Sequence, residues 1–387
     1  MTQSKTIREY IASIPPENTA TRSAFGLAGF LMAVWASMVP FVKISLDLDE
    51  AHLGGLLLCV GLGALVVMPF CGGLVAKRGA KFLLRRALFL IPFILFIINF
   101  STNVFLTAIL LFFFGMVFGS IDVAMNVHAV EVDRRSEKRL IAGFHALYSL
   151  GSVLGALGMA ALLNAGIQLV YAVGGLLLLC LLLWLMTSSS LLPDAGKAGD
   201  CSKSFVIPKG FVLCLGLICL LLFMIEGAVL DWGGVFLVEE KNTAIENAGL
   251  AFAAFSTAMT LMRLLGDKLI VYAGPRKCVR YGSFLGALML IGCVVFPQYW
   301  IVIGMFFILG IGLANVVPIA FASTADQKEM PMSLALAAVT TLGYTGQLAG
   351  PALIGFVAKM TSLSVAFSIL ALFLVIVGFS SNIFRER

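Results

Sequence analysis

Long apolar stretches of this 387-residue chain contain, among other ionisable side chains, Asp122, His145, Glu226 and Asp231. A carboxylate or an imidazole in apolar surroundings loses part of the stabilisation that water gives to its charged form. Its proton equilibrium can then move into the working pH range of a cell. These four residues are therefore candidates for proton-binding chemistry, and structural hydrogen bonding is the alternative role for each of them.

The spacing of these groups predicts how they are distributed along helices. Asn126 lies four residues after Asp122 and so shares its helix face, while His145 opens the next apolar stretch at the same end. We expect these three side chains to line one vestibule. Glu226 and Asp231 are five residues apart, which turns them about 140° from each other on a helix. We expect Glu226 near the middle of its helix and Asp231 near an end, where hydrogen bonding can anchor it.

Aromatic and polar side chains within the apolar stretches are candidates for lining a substrate cavity. Trp35 stands in the middle of a stretch, where an indole either stacks on a flat solute or packs as a large core residue. Trp184, Trp232 and Trp300 stand at the ends of stretches and are expected to be interfacial aromatics. The further cavity candidates, with interhelical hydrogen bonding as the alternative, are Asn126, Tyr148, Asn315, Thr341, Tyr344 and Gln347.

Two further patterns predict local contacts. Arg263 and Asp267 lie one helical turn apart and are expected to form an ion pair at a gate or loop. The glycine pairs Gly151/Gly155 and Gly346/Gly350 have the small-xxx-small spacing that lets helix backbones approach closely. The sequence contains no nucleotide-binding motif and no metal-ligand motif, so no cofactor is expected.

The composition predicts the elements that must position these residues. Hydrophobic residues make up 60% of the chain and charged residues 12%, with a mean hydropathy of +1.05. An ordinary soluble domain has about 25% charged residues. A soluble enzyme, a secreted module and a nucleic-acid binder are therefore excluded, and an all-α integral membrane protein is expected. Most of the eight cysteines lie inside apolar stretches and none forms a CxxC pair, which argues against a disulfide framework.

Twelve apolar stretches are long enough to span a bilayer, and the basic residues predict their orientation. If the N-terminus is cytoplasmic, 23 of the 26 Lys and Arg residues fall on the cytoplasmic side, and the exceptions are Lys43, Lys241 and Lys359. We therefore expect both termini to be cytoplasmic. The expected organisation is an N-terminal tail at 1–22, a six-helix bundle at 23–188, a cytoplasmic linker at 189–208 and a second six-helix bundle at 209–387.

The two expected bundles resemble each other in corresponding places. GGLVAKRGAK (Gly72–Lys81) follows the second helix of the first bundle, and GDKLIVYAGPRK (Gly266–Lys277) follows the second helix of the second. The fifth helices also match, as YSLGSVLGALG (Tyr148–Gly158) and YTGQLAGPALIG (Tyr344–Gly355). Parallel repeats of six helices are typical of the major facilitator transporters, which the chain resembles from about residue 23 to about residue 384.

A narrower resemblance involves three motifs in the same order. FGSIDVAMNVHAVEVDRR (Phe118–Arg135), GFHALYSLG (Gly143–Gly151) and EGAVLDWGGVFL (Glu226–Leu237) are similar to the bacterial YbjJ/MosC-like subgroup of this family. The subgroup has an acidic residue in helix 4, a histidine at the start of helix 5 and E-G-x-x-x-D-W in helix 7. These positions are Asp122, His145, Glu226 and Asp231 here. The resemblance implies transport of a sugar-like or opine-like solute.

The patterns and the resemblance together predict a function. We expect a secondary transporter of the inner membrane, not an enzyme, whose partners are a small-molecule substrate, protons and the lipid bilayer. It is expected to act as a monomer without nucleic acid, by alternating access and with proton coupling through the membrane carboxylates. An uncoupled facilitator and a drug or metabolite exporter are the alternatives. A ligand sensor that does not transport is disfavoured, because the short linker and tails provide no output domain.

Overall fold

The computed structural model of the protein describes residues 15–136, 140–196, 208–327 and 332–384, and these residues form helices and connecting turns without any strand. The first six long helices are α1 Pro16–Ser45, α2 Glu50–Arg78, α3 Ala80–Ile98, α4 Val104–Arg134, α5 Ile141–Asn164 and α6 Leu169–Thr187. The others are α7 Gly210–Glu240, α8 Leu250–Ala273, α9 Pro275–Val295, α10a Tyr299–Leu313, α10b Val316–Ser323, α11 Met332–Met360 and α12 Leu363–Ser380.

Most of these helices have the length and apolarity of membrane spans. Within the described ranges, ten segments qualify by length and composition, with α10a and α10b counted as one. The exceptions are α3, which carries Lys81, Arg85 and Arg86 near its start, and α11, which carries several Thr residues, Tyr344 and Gln347. The all-α membrane class predicted from composition is therefore supported.

The helices pack in the same order in the two parts of the chain. In the first part α1 packs on α5, α2 on α4 and α3 on α6; in the second, α7 packs on α11, α8 on α10a and α9 on α12. The equivalent tight turns also match, since Gly79 (φ 84°) joins α2 to α3 and Gly274 (φ 81°) joins α8 to α9. Glycine is favoured at both turns because a side chain is strained at positive φ.

The glycine pairs lie at close contacts between helices. A Cβ atom on Gly151 would lie 1.9 Å from the carbonyl oxygen of Gly26 in α1, and one on Gly346 would lie 2.0 Å from that of Leu220 in α7. Without a side chain at these positions, the backbones of α5 and α11 can touch those of α1 and α7. The packing role predicted from the small-xxx-small spacing is confirmed.

One helix differs from the expected continuous span. The tenth stretch is broken by a turn at Ala314–Asn315 into α10a and α10b. Pro318 explains the break, because it has no N–H to donate to the carbonyl of Ala314 and its ring would clash with that carbonyl in a continuous helix. The position of Asn315 within an apolar stretch predicts a mid-helix location, but Asn315 lies at a helix break.

The bundle has two ends of opposite charge. We call the end that carries Asp49, Glu50, Glu239 and Glu240 the acidic end, and the opposite end, which carries Lys77, Arg78, Arg134, Arg135 and Arg276, the basic end. Between them, the two halves meet where α1 packs on α7, α2 on α11 and α5 on α8. The candidate site lies at this interface.

Candidate functional site

The centre of the interface collects charged and phenolic side chains from five helices. Asp122 comes from α4, Tyr148 from α5, Glu226 from α7, Arg263 from α8 and Tyr344 from α11. Tyr344 contacts Asp122 at 2.9 Å and Arg263 approaches Glu226 to 3.9 Å, and Tyr148 lies near both pairs. We call these five residues the central cluster.

Asp122 is held by hydrogen bonds from both halves. Its Oδ2 accepts from the Tyr344 hydroxyl of α11 at 2.9 Å, and its Oδ1 accepts from Asn126 Nδ2 at 3.2 Å. The Asn126 amide also donates to the Asp122 backbone carbonyl at 2.9 Å. Asn126 thus lies on the same face as Asp122, as its spacing predicted. The bond to Tyr344 joins residues that are 222 positions apart, and it must break if α4 and α11 separate.

Glu226 has fewer stabilising contacts than Asp122. Its Oε1 is buried without a hydrogen bond, and the nearest cation is Arg263, with Nη2 at 3.9 Å. That distance is too long for a hydrogen bond. The Glu226 side chain is 23% exposed, and a carboxylate oxygen that is shielded from water without a donor destabilises the ionised form. Glu226 is thus suited to hold a proton whenever Arg263 moves away from it.

Arg263 was expected to pair with Asp267. The side chain of Asp267 lies outside the described residues, so that pair stays a prediction. The structure extends α8 to Ala273, which places Arg263 in the middle of the helix instead of near its end. There its side chain is 36% exposed and faces Glu226 of α7.

His145 lies beside the central cluster without bonding to Asp122. Its ring is exposed and contacts Phe25 edge-on, with centroids 5.2 Å apart. The charge of Arg263 reaches the imidazole. Among the described residues no hydrogen bond joins His145 to Asp122 or Asn126, so the structure brings only two of the three predicted vestibule residues into contact.

Asp231 and Trp35 form a separate pair towards the acidic end. The indole of Trp35 is buried against Phe114, with ring centroids 5.7 Å apart, and lies near the Asp231 carboxylate. Asp231 and Glu226 therefore lie in different environments, as the helix geometry predicted. A Trp35 that is 1% exposed does not face a cavity in this conformation.

Two other tryptophans correct the sequence prediction. Trp184 and Trp232 were expected at the membrane interface, but both are fully buried. Trp184 Nε1 donates to the Arg85 carbonyl at 3.1 Å, and Trp232 Nε1 donates to the Pro351 carbonyl at 3.2 Å. Each indole therefore ties two helices together, and only Trp300, which is exposed, fits the interfacial role.

The remaining cavity candidates divide by position. Gln347 packs over Gly227, next to Glu226, and so adjoins the central cluster. Thr341 is exposed one turn from Tyr344 on α11. Asn315 does not face the cluster: it is buried, and its Oδ1 would lie 2.2 Å from a Cβ atom on Gly266 of α8. Its amide therefore fills the gap beside the break in α10.

The acidic end closes the site through contacts between the halves. Lys43 of α1 donates to Glu50 at 2.9 Å and to Glu239 of α7, and Lys359 of α11 donates to Asp49 at 2.7 Å. We call these five residues the acidic-end latch. Towards the basic end, His145, Arg263 and Thr341 are exposed although their helices meet at the centre. A cavity that opens towards the basic end between the two halves would expose these three side chains in this way.

Sequence reasoning had treated Lys43, Lys241 and Lys359 only as exceptions to the charge rule. Their departure from the charge rule could have indicated that these lysines have specific partners. Lys43 and Lys359 have the partners described above, and Lys241 Nζ donates to the Val294 carbonyl at 3.0 Å. The Lys359 amine and the His52 backbone N–H hold the pKa of Asp49 well below its usual range. A depressed carboxylate pKa preserves an ion pair until the pH falls through the lowered value. We therefore expect the Asp49–Lys359 pair to persist between about pH 5 and 8.

The acidic-end latch gives a testable prediction. Lys43→Met removes the pair with Glu239 and leaves Glu50 and Glu239 without their shared cation, so the halves should separate more often at this end. Maleimide labelling of Ser37→Cys, in purified protein lacking the other cysteines, is expected to be roughly 10-fold faster, as for the loss of about 1.4 kcal/mol. Lys241→Met is the control because its bond lies within one half. Equal labelling rates in both variants would contradict the latch.

His128 is a functional candidate that sequence reasoning missed. The Thr21 hydroxyl donates to the Glu17 carbonyl at 2.6 Å and so accepts from His128 Nδ1–H at 3.0 Å. His128 Nε2 accepts from the backbone N–H of Leu192 at 2.9 Å. This neutral, fully buried imidazole ties α1 and α4 to the segment that follows α6. A histidine inside an apolar stretch, as with His145, was the available signal.

Comparisons with known proteins agree with the geometry. A family model described as Major Facilitator Superfamily matches residues 23–328 and 234–386. An uncharacterized MFS-type transporter of Yersinia pestis is 40% identical over 369 residues, which is 95% of each chain. Membrane protein MosC of Rhizobium meliloti is 27% identical, over 93% of this chain and 87% of its own. The crystal structure of the nucleoside transporter NupG has a TM-score of 0.72, covering 95% of this chain and all of that one, at 15% identity.

Proposed function

Because the chain belongs to the major facilitator superfamily of membrane transporters, we propose that it is a proton-coupled secondary transporter of a small polar solute. The resemblance to this family predicted from the repeats is confirmed, the relatives include the MosC protein that the three motifs indicated, and the protein is a transporter rather than an enzyme. The solute is sugar-like or opine-like by resemblance to the MosC-like subgroup. The two halves rock about the central cluster and expose it alternately to the two sides of the membrane.

We propose that the protein lies in the inner membrane and crosses it twelve times. Both termini are then cytoplasmic. The repeated packing order supports two six-helix bundles at 23–188 and 209–387, with a cytoplasmic linker at 189–208 and a tail at 1–22, of which the residues from Pro16 onward form the start of α1. The acidic end is then extracytoplasmic, and its latch closes that side. The cavity at the basic end faces the cytoplasm, as in an inward-open state.

Cysteine labelling tests this orientation. Lys209→Cys at the basic end and Ala244→Cys at the acidic end are both at exposed positions. In intact cells, with the other cysteines removed, an impermeant maleimide is expected to label the cysteine at 244 and to spare the one at 209, because basic segments are retained in the cytoplasm. Permeabilising the cells should make both reactive. Labelling at 209 in intact cells would overturn the orientation.

The main observation in support of proton coupling is the environment of Glu226. The buried Glu226 Oε1 has no hydrogen bond, and its nearest cation, Arg263, is 3.9 Å away on another helix. Any movement of α8 relative to α7 changes that distance and so changes the cost of leaving Glu226 ionised. Proton binding and the conformational change are then linked through the same pair. Asp122 is the second coupling candidate, since its bond to Tyr344 crosses the interface.

Transport by purified protein in proteoliposomes tests the proposal. A pH gradient is expected to drive accumulation of the solute, and adding the solute to vesicles without a gradient should move protons with it. Flux without proton movement would favour an uncoupled facilitator, in which the Asp122–Tyr344 bond is only structural. Binding without flux would leave a ligand sensor.

A further inference from the structure

Among the described side chains, the guanidinium of Arg263 has one acidic partner, Glu226. The guanidinium carries five N–H donors in a planar fork. Its closest approach to Glu226 is 3.9 Å, which is an ion pair without a hydrogen bond, and 36% of the side chain is exposed. Among the described side chains, Glu226 is the only acidic group within 4 Å of it. The fork therefore presents donors to whatever enters the cavity.

The neighbouring acceptors do not compete for these donors. Both oxygens of Asp122 already accept hydrogen bonds, one from Tyr344 and one from Asn126. His145 and Tyr148 lie close enough for the charge of Arg263 to act on them, and neither is an anion at neutral pH. An anionic group bound at Arg263 would thus meet a cation and polar, uncharged neighbours on this side of the cavity.

We propose that Arg263 anchors a carboxylate of the transported solute, so that the substrate class is a small organic monocarboxylate. This inference rests on the proposed function, because it names the ligand of the same transport site. A carboxylate matches the guanidinium fork with two parallel hydrogen bonds, whereas a sugar hydroxyl offers no such match.

The charge balance of the cluster selects a singly charged ligand. Arg263 is the one cation that faces Asp122 and Glu226 among the described residues of the cluster, so a doubly charged phosphate would leave an excess of negative charge near them. When the ligand carboxylate takes the fork, Glu226 loses its nearest cation and binds a proton at a carboxylate oxygen. One anion and one proton enter together, and the net charge of the cluster is unchanged.

Aromatic side chains adjoin the central cluster and suit a ligand with an apolar or aromatic body. Phe223 of α7 packs against Tyr344 with ring centroids 5.8 Å apart and against Phe321 of α10b at 6.4 Å. Phe25 and His145 form an aromatic pair on the opposite half. A ligand whose carboxylate reaches Arg263 can therefore place its carbon skeleton between aromatic surfaces.

Acid and amide pairs test the proposal directly. Purified protein is mixed with acetate, lactate, benzoate and hydroxybenzoate, and with the uncharged amide of each, and binding is followed by thermal shift and by calorimetry. At least one acid is expected to bind while its amide does not, with uptake of about one proton per acid in weakly buffered solution. Arg263→Gln should weaken that binding at least about 10-fold, since a charge-assisted pair is lost. Arg263→Lys should restore part of it.

Lys268→Gln is the matched control, because it removes a positive charge from the same helix at an exposed position. Binding of an amide as tightly as its acid, unchanged acid binding in a folded Arg263→Gln protein, or the absence of binding by every acid in the panel would each overturn the proposal. If a neutral sugar binds and is transported instead, the transporter function stands and only the anionic class fails. If no solute crosses the membrane in proteoliposomes, the proposed function itself fails.

Discussion

Glu226→Gln is expected to abolish gradient-driven accumulation of the solute while leaving counterflow exchange intact. Glutamine keeps the size and hydrogen-bonding capacity of glutamate but does not titrate. Exchange of labelled for unlabelled solute does not require the carrier to complete a proton cycle, so it should survive. Accumulation requires that cycle and should fall at least about 100-fold, because a site that cannot change its protonation state carries no driving force from the pH gradient.

The measurement is uptake and counterflow in proteoliposomes, normalised to the amount of folded protein. Asp122→Asn is tested in parallel, since either carboxylate of the central cluster could be the carrier. Glu246→Gln, at the acidic end and outside the long helices, is the control for the substitution itself. If both variants of the cluster still concentrate the solute with wild-type pH dependence, the proton does not travel through these residues. An uncoupled facilitator, or a carrier role for His145, would then be favoured.

Gly151→Leu and Gly346→Leu are expected to destabilise the protein more than leucine at any open glycine. The Cβ atom alone would lie 1.9 Å from a carbonyl oxygen at Gly151 and 2.0 Å from one at Gly346. The obstructing atoms belong to the backbone, which cannot rotate away as a side chain can. The helices must separate, at a cost of about 3 kcal/mol or more. Expression, thermal stability in detergent and flux should all fall.

Gly143 and Gly304 supply matched controls for these two variants. Both are helical glycines, and a Cβ atom at either would meet no other atom within 4 Å. Gly143 also lies on α5, the helix that contains Gly151. Gly143→Leu and Gly304→Leu should therefore express and transport nearly as well as the wild type. Equal damage at Gly143 and Gly151 would show that leucine acts by some means other than helix separation.

Much of the fold could be predicted because hydropathy and backbone freedom are local properties. An apolar stretch of about 20 residues favours a membrane helix whatever surrounds it. Glycine at 79 and at 274 permits the positive φ of the two equivalent turns, and glycine at 151 and 346 permits close helix contact. Each of these requirements can be recognised from a few neighbouring residues. The break at Asn315 also has a local cause, because Pro318 stands four residues after Ala314. The continuous apolar stretch around Pro318 nevertheless favoured the prediction of an unbroken helix.

The partners of the charged residues could not be predicted in the same way. Asp122 and Glu226 stood out because a carboxylate is costly in an apolar stretch, which is a property of the residue and its immediate neighbours. That Asp122 bonds to Tyr344 and that Arg263 faces Glu226 depends on how helices far apart in the chain are rotated and placed against each other. The burial of Trp184 and Trp232 has the same origin.

The amino-acid sequence by itself therefore determined the membrane class, the repeat, the close helix contacts and the identity of the residues that we propose to bind protons. Only the tertiary structure decided which of them share a site, that Lys43 and Lys359 form ion pairs at the acidic end, and that Arg263 faces Glu226. The physical reason is the separation along the chain of the residues on which each property depends. Transfer from water to an apolar phase is summed over neighbouring residues, whereas a hydrogen bond or an ion pair acts over a few ångströms between side chains that folding alone brings together.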